Sequence, residues 1–332
     1  MSGAFSMHGG RMAEARARFG GAREEWLDLS TGINPVPWPG TGGIPIDWQA
    51  LPDPDDLARL EQQAAGYFGA DPASCCAVPG SETGLRLIAR ILALPANHLP
   101  LTYSTHSDAF EHARPIASLA HAAAGPSALV AANPNNPDGR TTPVETLLAV
   151  LERQERNDGW LIVDEAFADC RPDQSVAGYV ANGRRLVVLR SFGKFFGLAG
   201  VRLGFVIAPP GLLDRIRRLL GEWPVCAAAL GFGMAAYGDD EWISTTRRDL
   251  RGRAAQLDAV LTRHGLNPRG DCPLFRLVET ANAPELFTEL TRHRILTRPF
   301  ANHPHLLRLG LPADDAALAR LDGALAEALA DG

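Results

Sequence analysis

RRLVVLRSFGKFFGLAGVRLGF, residues 184–205, joins an apolar run to a small-residue loop that holds Lys194, eight residues ahead of Arg202. The run reads as a strand entering a loop. Upstream stretches have a related build. CCAVPGSETGLRLIARILAL (75–94) reads as a short strand, a small-residue turn at Gly80 and a helix from Ser81. SALVAANPNN (127–136) is a strand ending in a Pro- and Asn-rich loop, PVETLLAVLERQERN (143–157) a helix, and WLIVDEAF (160–167) a buried strand whose apolar run ends in two carboxylates. Strand, helix, strand, helix, strand predicts an α/β fold with a mostly parallel sheet and helices on its faces.

Outward from this centre, DLARLEQQAAGYFGA (56–70) has helical spacing, with Asp53 or Asp55 placed to cap it and Gly69 to end it. The first fifty residues, with TGINPVPWPGTGGIP at 31–45, read as an irregular arm lying over something else. After GVRLGFVIAP the chain becomes helical, through LLDRIRRLL (212–220) and the long stretch 242–265. A strand around LFRLVE, a further helix and a strand around HLLRLGLP then predict a smaller α/β domain. The expected division is an arm at 1–50, a large domain at 51–235 and a small C-terminal domain at 236–332.

The 332 residues are 46% hydrophobic and 21% charged, the profile of a globular protein with a large core. Net charge is -6 and the basic residues are scattered, which argues against nucleic acid as a partner. Apolar runs fall short of the ~20 residues of a membrane span, and the N-terminus lacks the apolar core of a signal peptide, so a cytoplasmic location is expected. Five cysteines without CxxC spacing predict neither a disulfide framework nor structural metal. His106 with His112, and His303 with His305, hint at metal, yet neither pair has a third ligand nearby in sequence.

In α/β sheets ligands gather at the carboxyl ends of the strands, and each notable polar cluster here sits at such an end. A helix starting at Ser81 offers free backbone N–H groups and a positive dipole end to an anion, to which Ser191 and Arg202 can add a hydroxyl and a guanidinium. Asp164, at the end of WLIV, is costly to bury unless it meets a positive charge such as a protonated pyridine nitrogen. Lys194, beside Phe192, Phe195 and Phe196, is desolvated, which frees its amine for attack on an aldehyde. One cofactor needs all of these partners, pyridoxal phosphate. Taken singly, each residue also fits a plainer role. Lys194 fits a solvated surface residue, Asp164 and Ser81 fit helix caps, Asn136 a turn, Tyr103 packing, and Arg298 and Arg308 surface charges.

NPNNPDGR (133–140), DEAFAD (164–169) and SFGKFFGLAGVRLGF (191–205) resemble the motifs of fold-type I pyridoxal-phosphate enzymes, in the branch that holds histidinol-phosphate aminotransferase and threonine-phosphate decarboxylase. The resemblance runs from His8 to Arg308. It implies an aminotransferase-like fold and these roles: Lys194 as Schiff-base lysine and proton carrier, Asp164 on the pyridinium nitrogen, and Asn136 on the ring hydroxyl. It further implies Gly80, Ser81, the Glu82 backbone, Ser191 and Arg202 on the phosphate, and Tyr103 on the ring face. Arg308 resembles the arginine for the substrate carboxylate, Arg298 a second anion-binding arginine, and His8 and Asn34 belong to an arm that covers substrate. The opening HGG at His8 to Gly10 and Phe167 are similar to the decarboxylases. They imply decarboxylation of L-threonine O-3-phosphate to (R)-1-aminopropan-2-yl phosphate for cobalamin biosynthesis, with an aminotransferase of the histidinol-phosphate type as the alternative. A homodimer is implied as well, although Leu51 stands where relatives often place a Tyr that reaches the neighbouring subunit's phosphate.

Overall fold

The computed structural model describes residues 9–121 and 125–330, and its chain divides into two compact units. The larger unit comprises Pro37–Asn136 and Arg140–Ile243. It is built on seven strands: β1 (Cys75–Val78), β2 (Ala96–His98), β3 (Ala113–Pro115), β4 (Ala128–Ala132), β5 (Trp160–Asp164), β6 (Leu186–Ser191) and β7 (Gly204–Ile207). Their spatial order is β1-β7-β6-β5-β4-β2-β3. All neighbouring pairs from β6 across to β3 are parallel, and β7 alone runs against both of its neighbours.

The central strands are buried on both faces, which is why they read as unbroken apolar runs without alternation. The helix α1 (Pro54–Phe68) has the expected caps: the Asp53 carboxylate accepts from Asp55 N at 2.8 Å, and Gly69 ends it at φ 69°. One face of the sheet, including Val130, Ile162, Leu189 and Val206, forms a core with Leu85 and Ile88 of α2 (Ser81–Leu92). Leu212, Leu213 and Ile216, from the helix Pro210–Leu220, join the same core. On the other face Phe205 meets Phe68 of α1 at 5.4 Å and Tyr237 at 5.7 Å between ring centroids.

The described residues of Met1–Val36, Pro137–Gly139 and Ser244–Gly332 form the second unit. Its three-stranded antiparallel sheet has β9 (Arg298–Pro299) and β8 (Phe275–Glu279) on either side of β10 (Leu306–Gly310), and Leu27–Asp28 pairs in parallel with Ile295–Leu296. Asp258 accepts from Arg276 Nε at 2.5 Å, tying β8 to the long helix Asp240–Arg263.

One expectation changes, and three strands join those expected. The N-terminal segment is not irregular throughout: Met12–Phe19 is a helix, because MAEARARF is composed almost wholly of good helix formers while the Gly and Pro residues concentrate after it. GFVI, short and next to a loop, forms the strand β7. The strands β2 and β3 have three residues each, too few to show any period. Among the described residues no helix is long and apolar enough to cross a membrane, no disulfide forms, and no metal-binding cluster of His, Cys, Asp or Glu exists.

Candidate active site

Sheet register brings the polar strand ends together. Val78 at the end of β1 and Ser191 at the end of β6 both stand opposite Gly204 at the start of β7. Asp164 at the end of β5 stands opposite Ala132 of β4 and Leu189 of β6. Because β7 runs backwards, the residues just before it, Arg202 included, arrive at the same edge.

Two glycines open a cradle at that edge. Gly80 lies at φ 89°, ψ 147°, a region that side chains disfavour, and a Cβ built on it would stand 2.5 Å from Arg202 Nη2. A Cβ on Gly204 would stand 2.4 Å from Ser81 N. The guanidinium of Arg202 is therefore close to the first turn of α2, where backbone N–H groups lack partners within the helix. Arg202 itself is left-handed, at φ 55°. Gly80, Ser81, Glu82, Ser191 and Arg202 thus meet at one edge, where backbone N–H groups of a helix start and a guanidinium lie close together.

Asp164 is buried, and its Oδ1 accepts from Ala166 N at 3.0 Å. Its Oδ2 lies 3.0 Å from Nε2 of His106, a fully buried side chain. The other ring nitrogen, Nδ1, is 2.8 Å from Thr102 Oγ1. Thr102 in turn donates to Asn135 Oδ1 at 3.2 Å, and Asn135 Nδ2 donates to the Leu101 carbonyl at 3.0 Å. Sequence reasoning weighed His106 only for metal. Nothing local signals its partner, which is 58 residues away.

Lys194 lies in a single helical turn, Phe192–Phe195, directly after β6. It is half-buried, with Nζ 5.9 Å from the centroid of the Phe167 ring. The phenylalanines around it in sequence are fully buried and anchor the turn: Phe192 stacks on Phe196 at 4.7 Å, and Phe195 meets Trp242 edge-on at 5.6 Å. Lys194 is also the only lysine in the sequence.

Asn136 is half-buried in a loop stapled by Asn133, whose side chain donates to the carbonyls of Thr142 and Gln174, both at 3.1 Å, and accepts from Thr142 N at 2.8 Å. The Tyr103 hydroxyl donates to Glu82 Oε2 at 3.2 Å, and its ring stands edge-on to His106. Burial pushes the phenol up, with the Glu82 and Asp164 carboxylates adding to it against a hydrogen bond from Thr105.

Asn34, Arg298 and Arg308 belong to the second unit. Asn34 is buried and its Oδ1 accepts from Val36 N at 3.0 Å. Arg298 and Arg308 stand opposite each other in the β9–β10 register, both buried, so neither is a surface charge. Arg308 Nη2 donates to the Ser30 carbonyl at 2.8 Å, and its guanidinium is 5.1 Å from the Phe275 ring centroid. Burial, and then the neighbouring Arg298, hold the Arg308 guanidinium well below its usual range. Two buried cations side by side make a strong attractor for an anion. His8 lies outside the described residues.

The family model of aminotransferase class I and II matches residues 47–321. The chain is 40% identical over 329 residues to a threonine-phosphate decarboxylase of Sinorhizobium sp, covering 96% of this chain and 97% of that one. A threonine-phosphate decarboxylase of Pseudomonas aeruginosa is likewise 40% identical over 327 residues, with 96% of each covered. Among solved structures, histidinol-phosphate aminotransferase from Sinorhizobium meliloti in complex with pyridoxal-5'-phosphate superposes with a TM-score of 0.82 at 20% identity, covering 96% of this chain and 94% of that one. The fold is that of the fold-type I aminotransferases.

Proposed function

The chain belongs to the aminotransferase class I and II family, and from that membership we propose that it decarboxylates L-threonine O-3-phosphate to (R)-1-aminopropan-2-yl phosphate, a step of cobalamin biosynthesis, with pyridoxal phosphate as cofactor. The observation that carries the reading is the 40% identity, over nearly the whole of both chains, to proteins named threonine-phosphate decarboxylase. The residues at the sheet edge fit the cofactor. A cradle that a Cβ at Gly80 or Gly204 would fill suits its phosphate, and a buried carboxylate at Asp164 suits its ring nitrogen.

When bound, pyridoxal phosphate supplies an aldehyde for the substrate amine and a ring that accepts the electron pair of the bond broken at Cα. Asp164, oriented by His106 and the Ala166 amide, holds the ring nitrogen protonated. The Ser81 hydroxyl, the Glu82 amide, Ser191 and Arg202 hold the phosphate, Asn136 bonds the ring hydroxyl, and Tyr103 covers the ring face. Lys194 Nζ carries the protons. Arg298 and Arg308 hold the substrate carboxylate, and His8 and Asn34 belong to the substrate-covering segment. By fixing the substrate carboxylate, Arg298 and Arg308 would select which bond at Cα breaks. Phe167, whose ring faces the lysine amine, fits the decarboxylase reading. We further propose a cytoplasmic homodimer; exposed Trp48, Leu51 and Trp223 in the larger unit support an interface there.

Incubation with pyridoxal phosphate and threonine phosphate, with trapping of CO2, tests the proposal. Released CO2 is expected. No CO2, together with turnover of an amino donor and a keto acid, instead gives the aminotransferase. Since the sequence has one lysine, borohydride should fix the cofactor on a single side chain, and Lys194→Ala should lose the visible absorbance altogether.

A further inference from the structure

Behind the ends of β5 and β6 lies a cluster of three buried charges that the proposed chemistry does not use. Glu165, Asp169 and Arg190 are each at most 2% exposed. Arg190 Nη1 donates to Glu165 Oε2 at 2.9 Å and Nη2 donates to Asp169. The second face of Glu165 is closed as well: Ser175 Oγ donates to Oε2 at 2.6 Å and Val176 N to Oε1 at 2.7 Å. The guanidinium also lies over the Phe68 ring, 4.4 Å from its centroid. Burial pulls the Arg190 guanidinium down, but the Asp169 and Glu165 carboxylates outweigh it and raise it above its ordinary range.

The cluster stands on the face of the sheet away from α2. Leu189 packs into the core that contains Leu85 of α2, whereas Arg190, one residue on, meets Phe68 of α1. Its members are next in the chain to the functional groups. Glu165 follows Asp164, Arg190 precedes Ser191, and Lys194 comes four residues after Arg190. A backbone bond from Glu165 N to the Leu189 carbonyl, at 2.9 Å, closes the same join.

Desolvating three charges costs several kcal/mol for each, and well-packed apolar side chains of similar volume often serve stability as well or better. What an ion cluster adds is direction. The planar fork of Arg190 fixes two carboxylates of the segment leaving β5 against one point on β6.

We infer that Glu165, Asp169 and Arg190 are positioning residues, which lock the segment 164–170 onto β6 and thereby set where Asp164 stands relative to Lys194. The inference rests on the proposed pyridoxal-phosphate chemistry of that site.

Glu165→Gln and Asp169→Asn each leave Arg190 one carboxylate, so both are suitable variants of the full chain, loaded with pyridoxal phosphate. Thermal unfolding, the pH midpoint of the visible band, and kcat and KM for threonine phosphate are measured on each. The expected result is a retained, borohydride-reducible band with a displaced midpoint. With it, kcat falls roughly 10- to 100-fold, the scale of a catalytic group misplaced by up to about 1 Å. KM stays within about twofold, since substrate anchoring is untouched. Folded variants with wild-type kcat and midpoint overturn the inference. So does failure of both variants to fold, which would assign the cluster to stability alone. A wild-type protein that shows no reducible band takes down the underlying cofactor reading instead, a result plainly different from either.

Discussion

Cys75 and Cys76 sit side by side in β1, and burial pushes both thiols up, Cys76 to about 12, with Glu61 adding to the effect. Cys170 and Cys272 are also buried, while Cys226 is exposed. A thiol reagent at pH 8 is therefore expected to modify Cys226 alone in the native protein and all five cysteines after denaturation. The same shift links stability to pH. A thiol whose folded pKa is raised contributes stability that is complete below its ordinary value of 9.0 and is lost as pH rises toward 12. The loss is about 1.4 kcal/mol per pH unit between the two values for each such group. Denaturant midpoints between pH 8 and 11 should fall steeply, and less so in Cys76→Ala. At this scale the sequence was informative wherever chemistry narrows the choice of residue. A lysine in a loop after an apolar strand, a carboxylate ending another and an Asn-Pro loop following a third were readable from side-chain type and order alone. His106 was not, because its place beside Asp164 comes from a hydrogen bond that only the folded sheet creates.

Elements with a period or a cap were legible, and those without were missed. α1 carries its capping Asp and terminal Gly in its letters, and β5 carries a full apolar run. β7 reads as the tail of a loop, and its direction follows from pairing partners far away in sequence. The start of α2 shows how tightly the elements constrain one another. Gly80→Ala would force a side chain into a glycine-only conformation and against the Arg202 guanidinium. The expected outcome is a stability loss of about 1–3 kcal/mol. Weaker pyridoxal-phosphate binding should accompany it, because Arg202 must move aside. Thermal unfolding and cofactor titration measure the two effects separately. A Gly69→Ala control, with open space around its Cβ, should lose stability alone.

For the whole molecule, composition and net charge bounded the class of protein, and the order of elements gave the mostly parallel sheet. The division observed, with Pro137–Gly139 grouped with residues from both ends of the chain, was not readable, since such grouping depends on contacts between distant segments. The proposed dimer is a prediction at this scale. Sedimentation should give twice the chain mass, and Trp48→Glu with Leu51→Asp, which place charge on exposed apolar surface, should shift the population toward monomer. The reversal at β7 also sets an order of events during synthesis. Ser81 and Arg202 flank a single glycine, yet most of the larger unit's sequence separates them. A nascent polypeptide emerging from the ribosome has the helix terminus long before it has the arginine. If Ser81 and Arg202 grip the phosphate as proposed, interrupted translation products that stop short of that strand would be left with half of the grip, and cofactor capture would wait until the chain has been made beyond Arg202.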